Sequence, residues 1–159
     1  MKITKAKESN AYHEASHVVI AFRLGLKYIR AYITDKQPNH SGRTEYGNLY
    51  RNNDPEIESY EYPEEFKKKI ESQIMVCLAG ALGQKKFNPK GFRKYHAEGD
   101  WSKAMDYALR LGVDDVVYLE DRTKEMINDP GIWTDIEKVA KALTEHEVLT
   151  DWQIEQLLT

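Results

Sequence analysis

Apolar residues recur around most of a helix between Ser9 or Asn10, either of which is a good N-cap, and Gly25, which suits the residue just past a helix end. Ala11, Ala15, Val18 and Phe22 share one face, while Ile20, Ala21 and Leu24 carry the apolar surface further round, so the pattern predicts a largely buried helix. Tyr28 to Ile33 then alternates with period two, as a half-buried strand does, and Arg43 to Tyr50 reads as a second strand beyond the turn-rich Gln37-Pro38-Asn39-His40-Ser41-Gly42. The acidic segment from Asn52 to Pro63, with two prolines and no sustained period, reads as a surface loop. Helical periodicity resumes near Pro63, runs through Ile70, Ile74, Leu78 and Leu82, and breaks at Asn88-Pro89-Lys90-Gly91. Further helices are expected from Asp100 to Leu111, Asp114 to Asn128 and Thr134 to Glu145. A short one closes the chain within Leu149 to Leu158, capped at Thr150 or Asp151. These elements predict an α+β class, mainly helical with a small β-sheet.

Composition narrows the picture. A chain of 159 residues is the size of one domain, which places residues 1–159 in a single unit, and its one cysteine, Cys77, excludes any internal disulfide or cysteine-only zinc cluster. Lys and Arg number 23 against 26 Asp and Glu, and a net charge of −3 gives no electrostatic reason to expect nucleic acid or an anionic membrane as partner. The charged start lacks the apolar stretch of a secretion signal, and Ile74 to Gly83 falls far short of the ~20 residues that cross a bilayer. The expectation is a cytoplasmic protein with no membrane contact. Lys67-Lys68-Lys69 and Lys85-Lys86 read as solvated helix faces, the three tryptophans as core or interface packing, and Cys77 as a small core residue.

One segment changes the picture. His13-Glu14-Ala15-Ser16-His17 fits the H-E-x-x-H pattern within the first helix, where a spacing of four stacks the two imidazoles on one face with the glutamate beside them. Neutral imidazole nitrogen suits Zn²⁺. Two such histidines can instead be buried side chains bonded to backbone carbonyls. Here, however, they share a face with Ile20 and Leu24 in a mostly apolar helix, where unpaired imidazoles and a carboxylate are costly to bury and a metal ion offsets that cost. A catalytic zinc keeps three protein ligands and an open position. The candidates for the third ligand are Asp100, His96, Glu98, Asp106, His40 and His146. Asp100 shares a helical stripe with Ala104, Tyr107 and Leu111 that would aim it inward, although an aspartate at a helix start is commonly only an N-cap.

The segment Tyr12-His13-Glu14-Ala15-Ser16-His17 followed by Val18-Val19 resembles the active-site helix of the FtsH-type ATP-dependent zinc metalloproteases, whose pattern is close to YHEAGH followed by aliphatic residues. Ile74 to Gly80, IMVCLAG, is similar to that family's second helix with its L-A/G-G-R-A-A-E-E stretch. Ala97 to Arg110, AEGDWSKAMDYALR, resembles its G-A-x-N-D-x-x-x-A-x-x-x-A-R segment, and Ile136 to Leu157 resembles its closing I-x-x-x-A-x-x-L-L-E-x-E-T-L-x-x-x-E-I pattern. The likeness runs in register over nearly the whole chain. It implies the fold of an FtsH-type peptidase domain with a zincin-like helix, and it implies that Asp100 is the third zinc ligand. Ser16 departs from the family by replacing the glycine between the ligands, and Ala81-Leu82-Gly83-Gln84-Lys85 lacks the arginine and paired glutamates. The sequence has no G-x-x-x-x-G-K-[ST] phosphate loop, so the resemblance is to the peptidase domain alone, and any unfolding of a substrate would come from a separate ATPase.

The expected chemistry is hydrolysis of peptide bonds in a peptide or unfolded protein, with His13, His17 and Asp100 on Zn²⁺ and Glu14 as general base to a metal-activated water. An extended substrate would pair with an edge strand from Tyr28 to Ile33 or Arg43 to Tyr50, with Gly47 letting the backbones approach; the ordinary reading of Gly47 is a bulge or turn. A competing reading is a catalytically idle adaptor or regulatory module that binds zinc and peptide, for which Glu14 would be dispensable. A third is a helical protein without metal.

Overall fold

The computed structural model describes residues 3–34, 41–47, 54–111 and 115–159. The first helix, α1 (Lys5–Arg23), runs through the middle of the molecule, with every residue from Glu14 to Ala21 buried, as its all-round apolar pattern requires. It starts a turn earlier than Ser9 or Asn10. Thr4 is the N-cap, its Oγ1 accepting from the Lys7 N–H at 3.1 Å, and Ser9 is instead buried and accepts from Asn88 Nδ2 at 3.2 Å. Gly25, at φ +83°, ends the helix as expected: the Gly25 N–H bonds to Phe22 O and the Leu26 N–H to Ala21 O, the paired bonds of a Schellman motif.

A three-stranded antiparallel sheet packs on α1. Strand β1 (Arg30–Thr34) lies between β2 (Ser41–Glu45) and the two-residue β3 (Val148–Leu149). In β1 the inward Ala31 and Ile33 alternate with the outward Arg30 and Tyr32, while Tyr28, at φ +56°, lies in the turn before it. Because β1 pairs on both sides, the expectation of an edge strand from Tyr28 to Ile33 is corrected: β2 and β3 are the edges. Ser41 and Gly42 belong to β2 rather than to a turn. Of the segments expected as a turn and a second strand, residues 35–40 and 48–50 lie outside the described residues.

The acidic, proline-bearing segment is not simply a loop. Pro55–Glu61 forms α2, because Asp54 caps it through bonds to the Glu56 and Ile57 N–H groups and Pro55 stands in the first turn, where a missing N–H costs nothing. Pro63 likewise opens the long α3 (Pro63–Phe87), which stops at Asn88 as expected. A 3-10 turn (Lys94–His96) leads into α4 (Glu98–Leu111), followed by α5 (Val116–Asn128) and α6 (Pro130–His146). Helix α7 (Asp151–Leu158) follows, and Thr150 and Gln153 cap it reciprocally. Helix α6 begins four residues before the expected Thr134 because Asp129 caps it ahead of Pro130.

Two apolar clusters result. One joins α1 to the sheet, α6 and α7 through Val18, Ile20, Ile33, Ile136, Leu143 and Ile154; the other joins α3 to α4 and α5 through Ile70, Ile74, Leu78, Ala104 and Leu119. Trp133 stacks on Tyr12 at 5.5 Å, whereas Trp101 and Trp152 are exposed and belong to neither core. The architecture is mainly helical with a small antiparallel sheet, α+β. Among the described residues no helix is long and apolar enough to cross a membrane.

Candidate metal centre

Helices α1, α3 and α4 meet where the two clusters adjoin. Helix α1 brings His13, Glu14 and His17, and its four-residue spacing sets the imidazole centroids 4.8 Å apart, edge to face. Their outer nitrogens are held by α3: His17 Nδ1 donates to the Val76 carbonyl at 2.6 Å and His13 Nδ1 to Gln84 Oε1 at 2.8 Å. With the protons on Nδ1, the Nε2 lone pairs are the free donors, and both face a single oxygen. Asp100 Oδ2, from the first turn of α4, lies 2.8 Å from His13 Nε2 and 3.0 Å from His17 Nε2. Asp100 is the third residue of its helix, not a cap, and its carboxylate points inward.

Two imidazole lone pairs and a carboxylate oxygen repel unless a cation or protons lie between them. With protons there, the electrostatics are strongly displaced. Burial alone lowers the His17 pKa, but the hydrogen bond and charge of Asp100, with Glu14 adding, push it up to about 9. Burial raises the Asp100 pKa, yet His13 and His17 hold that carboxyl well below the usual carboxylate range. Two imidazole nitrogens and a carboxylate, with Nδ1 protons pinned by outer partners, form a donor set that suits Zn²⁺. The backbone also leaves space for an ion. A Cβ on Gly80 of α3 would stand 2.4 Å from His17 Nε2 and 2.6 Å from His13 Nε2, so any side chain there would intrude between the nitrogens.

Glu14 belongs to the same cluster: ligand atoms of His13, Glu14 and His17 all lie within 4.8 Å of one another. Its carboxylate is nevertheless engaged elsewhere, Oε2 accepting from Thr44 Oγ1 of β2 at 2.6 Å, and Asp100 makes the direct contacts to both Nε2 atoms. Glu14 Oε1 has no hydrogen-bond partner among the described residues. Gly42, on the same strand, lies so close that a Cβ would meet Glu14 Cγ at 2.7 Å.

Among the described residues, the other sequence candidates make no hydrogen bond to either Nε2. His96 spends its Nδ1 on the Arg93 N–H at 3.1 Å, and burial first, then His13 and Arg93, lower its pKa. Glu98 and His146 are exposed, Asp106 lines the cleft two helical turns beyond Asp100, and His40 lies outside the described residues. Gly47 packs on Tyr28, with its N–H bonded to Lys27 O, and does not line the cleft. The glycine against Glu14 is Gly42.

Sequence reasoning missed Thr44, Gly42, Gly80, Gln84 and the Val76 carbonyl. Gly80 and Gly83, three apart in an apolar helix, were a readable sign of close helix approach. Gly83 makes room for Ser16, whose Oγ donates to Tyr12 O at 2.7 Å and would stand 1.7 Å from a Cβ at that position. A cleft of about 650 Å³ opens beside the cluster between β2 and α4. Cys77 lines it from α3; burial and the Asp100 charge push its thiol up to about 12, which leaves it inert as a nucleophile.

No protein-family model matches the chain, and no curated protein matches it.

Proposed function

We propose that the chain is a zinc-dependent metallopeptidase of the FtsH type, with Zn²⁺ held by His13, His17 and Asp100 and with Glu14 as general base. The observation that carries this reading is the meeting of two Nε2 atoms from α1 with one Asp100 oxygen from α4, beside a glutamate that faces a cleft. Zinc, when bound, supplies Lewis acidity, which lowers the pKa of water toward about 7 and polarises a carbonyl oxygen.

The rest of the chemistry belongs to side chains of this chain. The Val76 carbonyl and Gln84 fix both histidines in the tautomer that offers Nε2. Glu14, steadied through Oε2, keeps Oε1 to accept a proton from the attacking water and return it to the leaving amine. The outer strand β2 has no strand on its cleft side among the described residues, so an extended peptide could add there by main-chain pairing. The reading extends to peptide or unfolded-protein substrates, with a separate ATPase as the partner that prepares folded ones.

The test pairs wild type with Glu14→Gln on unfolded protein and a peptide library, with zinc content measured in parallel. Retained zinc with cleavage lost at least ~100-fold is expected for a general base. Asp100→Ala should lose zinc, and His96→Ala should keep it. Equal cleavage by wild type and Glu14→Gln removes Glu14 from the mechanism, and zinc without cleavage in either favours the adaptor.

A further inference from the structure

We propose that the cleft selects carboxylate-bearing peptides, and that Lys103 and Arg110 of α4 do the selecting. This inference names the substrate class of the site and rests on the peptide-binding part of the preceding reading. Asp100, Lys103, Tyr107 and Arg110 recur at helical spacing, so one face of α4 forms a wall of the cleft. At ~1.5 Å per residue, that wall runs roughly 15 Å from Asp100 to Arg110. An extended peptide rising ~3.3 Å per residue would pass four or five residues over the same distance. Lys103 stands one turn from the histidine cluster and meets residues next to the scissile bond; Arg110, roughly 10 Å further along, meets those about three residues on.

Lys103 and Arg110 are the two cations of this wall. Both are exposed, and neither has an ion pair among the described residues. Across the cleft Glu45 is already held, by Arg30 at 2.7 Å and Arg43 at 3.1 Å. Asp106, between Lys103 and Arg110, offsets part of one charge. The cleft lining holds Arg43, Lys103 and Arg110 against Glu14, Glu45, Asp100 and Asp106; beyond Asp100, the α4 wall sets Lys103 and Arg110 against Asp106 alone. The excess is confined to that stretch of α4, where a cleft wall of low dielectric strengthens the pull of the two cations on an anion. Guanidinium and ammonium groups recognise carboxylates through charge-assisted hydrogen bonds. The carboxylate has two sources, an Asp or Glu side chain or the α-carboxylate of a peptide end.

The test measures binding of fluorescent peptides to zinc-loaded Glu14→Gln protein by anisotropy. One peptide series walks a Glu or a Gln along the sequence, each made with a free and an amidated C-terminus. Exposed charge pairs contribute up to ~1 kcal/mol, so Glu peptides should bind about fivefold tighter than their Gln counterparts, with the difference shrinking at high salt. A Glu advantage that survives amidation identifies side chains as the source; one confined to free ends identifies the α-carboxylate. The double charge reversal Lys103→Glu with Arg110→Glu should turn the preference toward Lys-bearing peptides, with circular dichroism checking the fold. Equal affinity for Glu and Gln peptides with either terminus, or no measurable binding of any peptide, would overturn the inference. Charge preference without wild-type cleavage leaves it standing and removes the peptidase reading; cleavage without charge preference does the reverse.

Discussion

Thr44 Oγ1 donates to Glu14 Oε2 at 2.6 Å, and the same hydroxyl lies 3.3 Å from the Glu14 backbone carbonyl, so strand β2 and helix α1 are joined at the proposed base. On the proposed mechanism this bond occupies Oε2 and leaves Oε1 for the incoming water. Thr44→Val keeps the shape of the side chain and removes the donor. Cleavage should fall about tenfold in kcat, the scale of one charge-assisted hydrogen bond, with KM and zinc content near wild type. Thr44→Ser should restore most of the loss. A Val variant that cleaves as fast as wild type would show that Glu14 needs no steadying from β2.

Gly80 carries a sharper steric requirement. Its missing Cβ would lie within 2.6 Å of both Nε2 atoms, and the imidazoles are pinned from behind by Val76 O and Gln84, so they have little room to retreat. Gly80→Ala should therefore lower zinc affinity at least tenfold and destabilise the fold by about 1 to 3 kcal/mol, the usual cost of overpacking. Zinc stoichiometry after dialysis, with urea unfolding of the same samples, measures both. Full zinc occupancy in the Ala variant would mean that the ion site does not lie beneath Gly80.

The legible and illegible parts of this site separate by physical cause. His13, Glu14 and His17 are visible because helical period is local; the stripe through Ala104 and Tyr107 makes Asp100 one inward-facing candidate, and the family resemblance is what singles it out as a ligand. Thr44 and Gln84 are 30 and 71 residues from their partners, a separation that no local pattern encodes. The stretch containing Gln84 lacks the arginine and paired glutamates of the resembled family, yet Gln84 is the brace on His13. Gly47 reads as a close-approach glycine and Gly42 as part of a turn, because strand register, which pairs Gly42 with Ile33, is set by tertiary contacts. Two residues of β3 are too few to show alternation. The prolines of α2 and α3 read as breakers because a proline in a first helical turn is told from one in a loop only by its cap.

Acid and base limits follow from the same cluster. In metal-free protein the folded His17 pKa, about 9, lies above its ordinary 6.5; its contribution to stability is full below pH 6.5 and is lost as pH rises through about 9. The Asp100 carboxyl is held below its ordinary 3.8, so its contribution is present above that value and is lost as pH falls below it. Metal-free protein should be most stable between these limits and weaken on both sides. On the proposed reading zinc would take the His17 Nε2 lone pair that a proton holds below about pH 9, so binding would release that proton and affinity would climb with pH. Urea midpoints from about pH 4 to 10, taken with chelator or with excess zinc, should coincide in acid and diverge steadily above neutrality, with the zinc-loaded protein holding its midpoint through pH 9. A gap that stayed constant or narrowed with rising pH would show that zinc does not compete with the proton on His17, and would place any bound metal on other ligands.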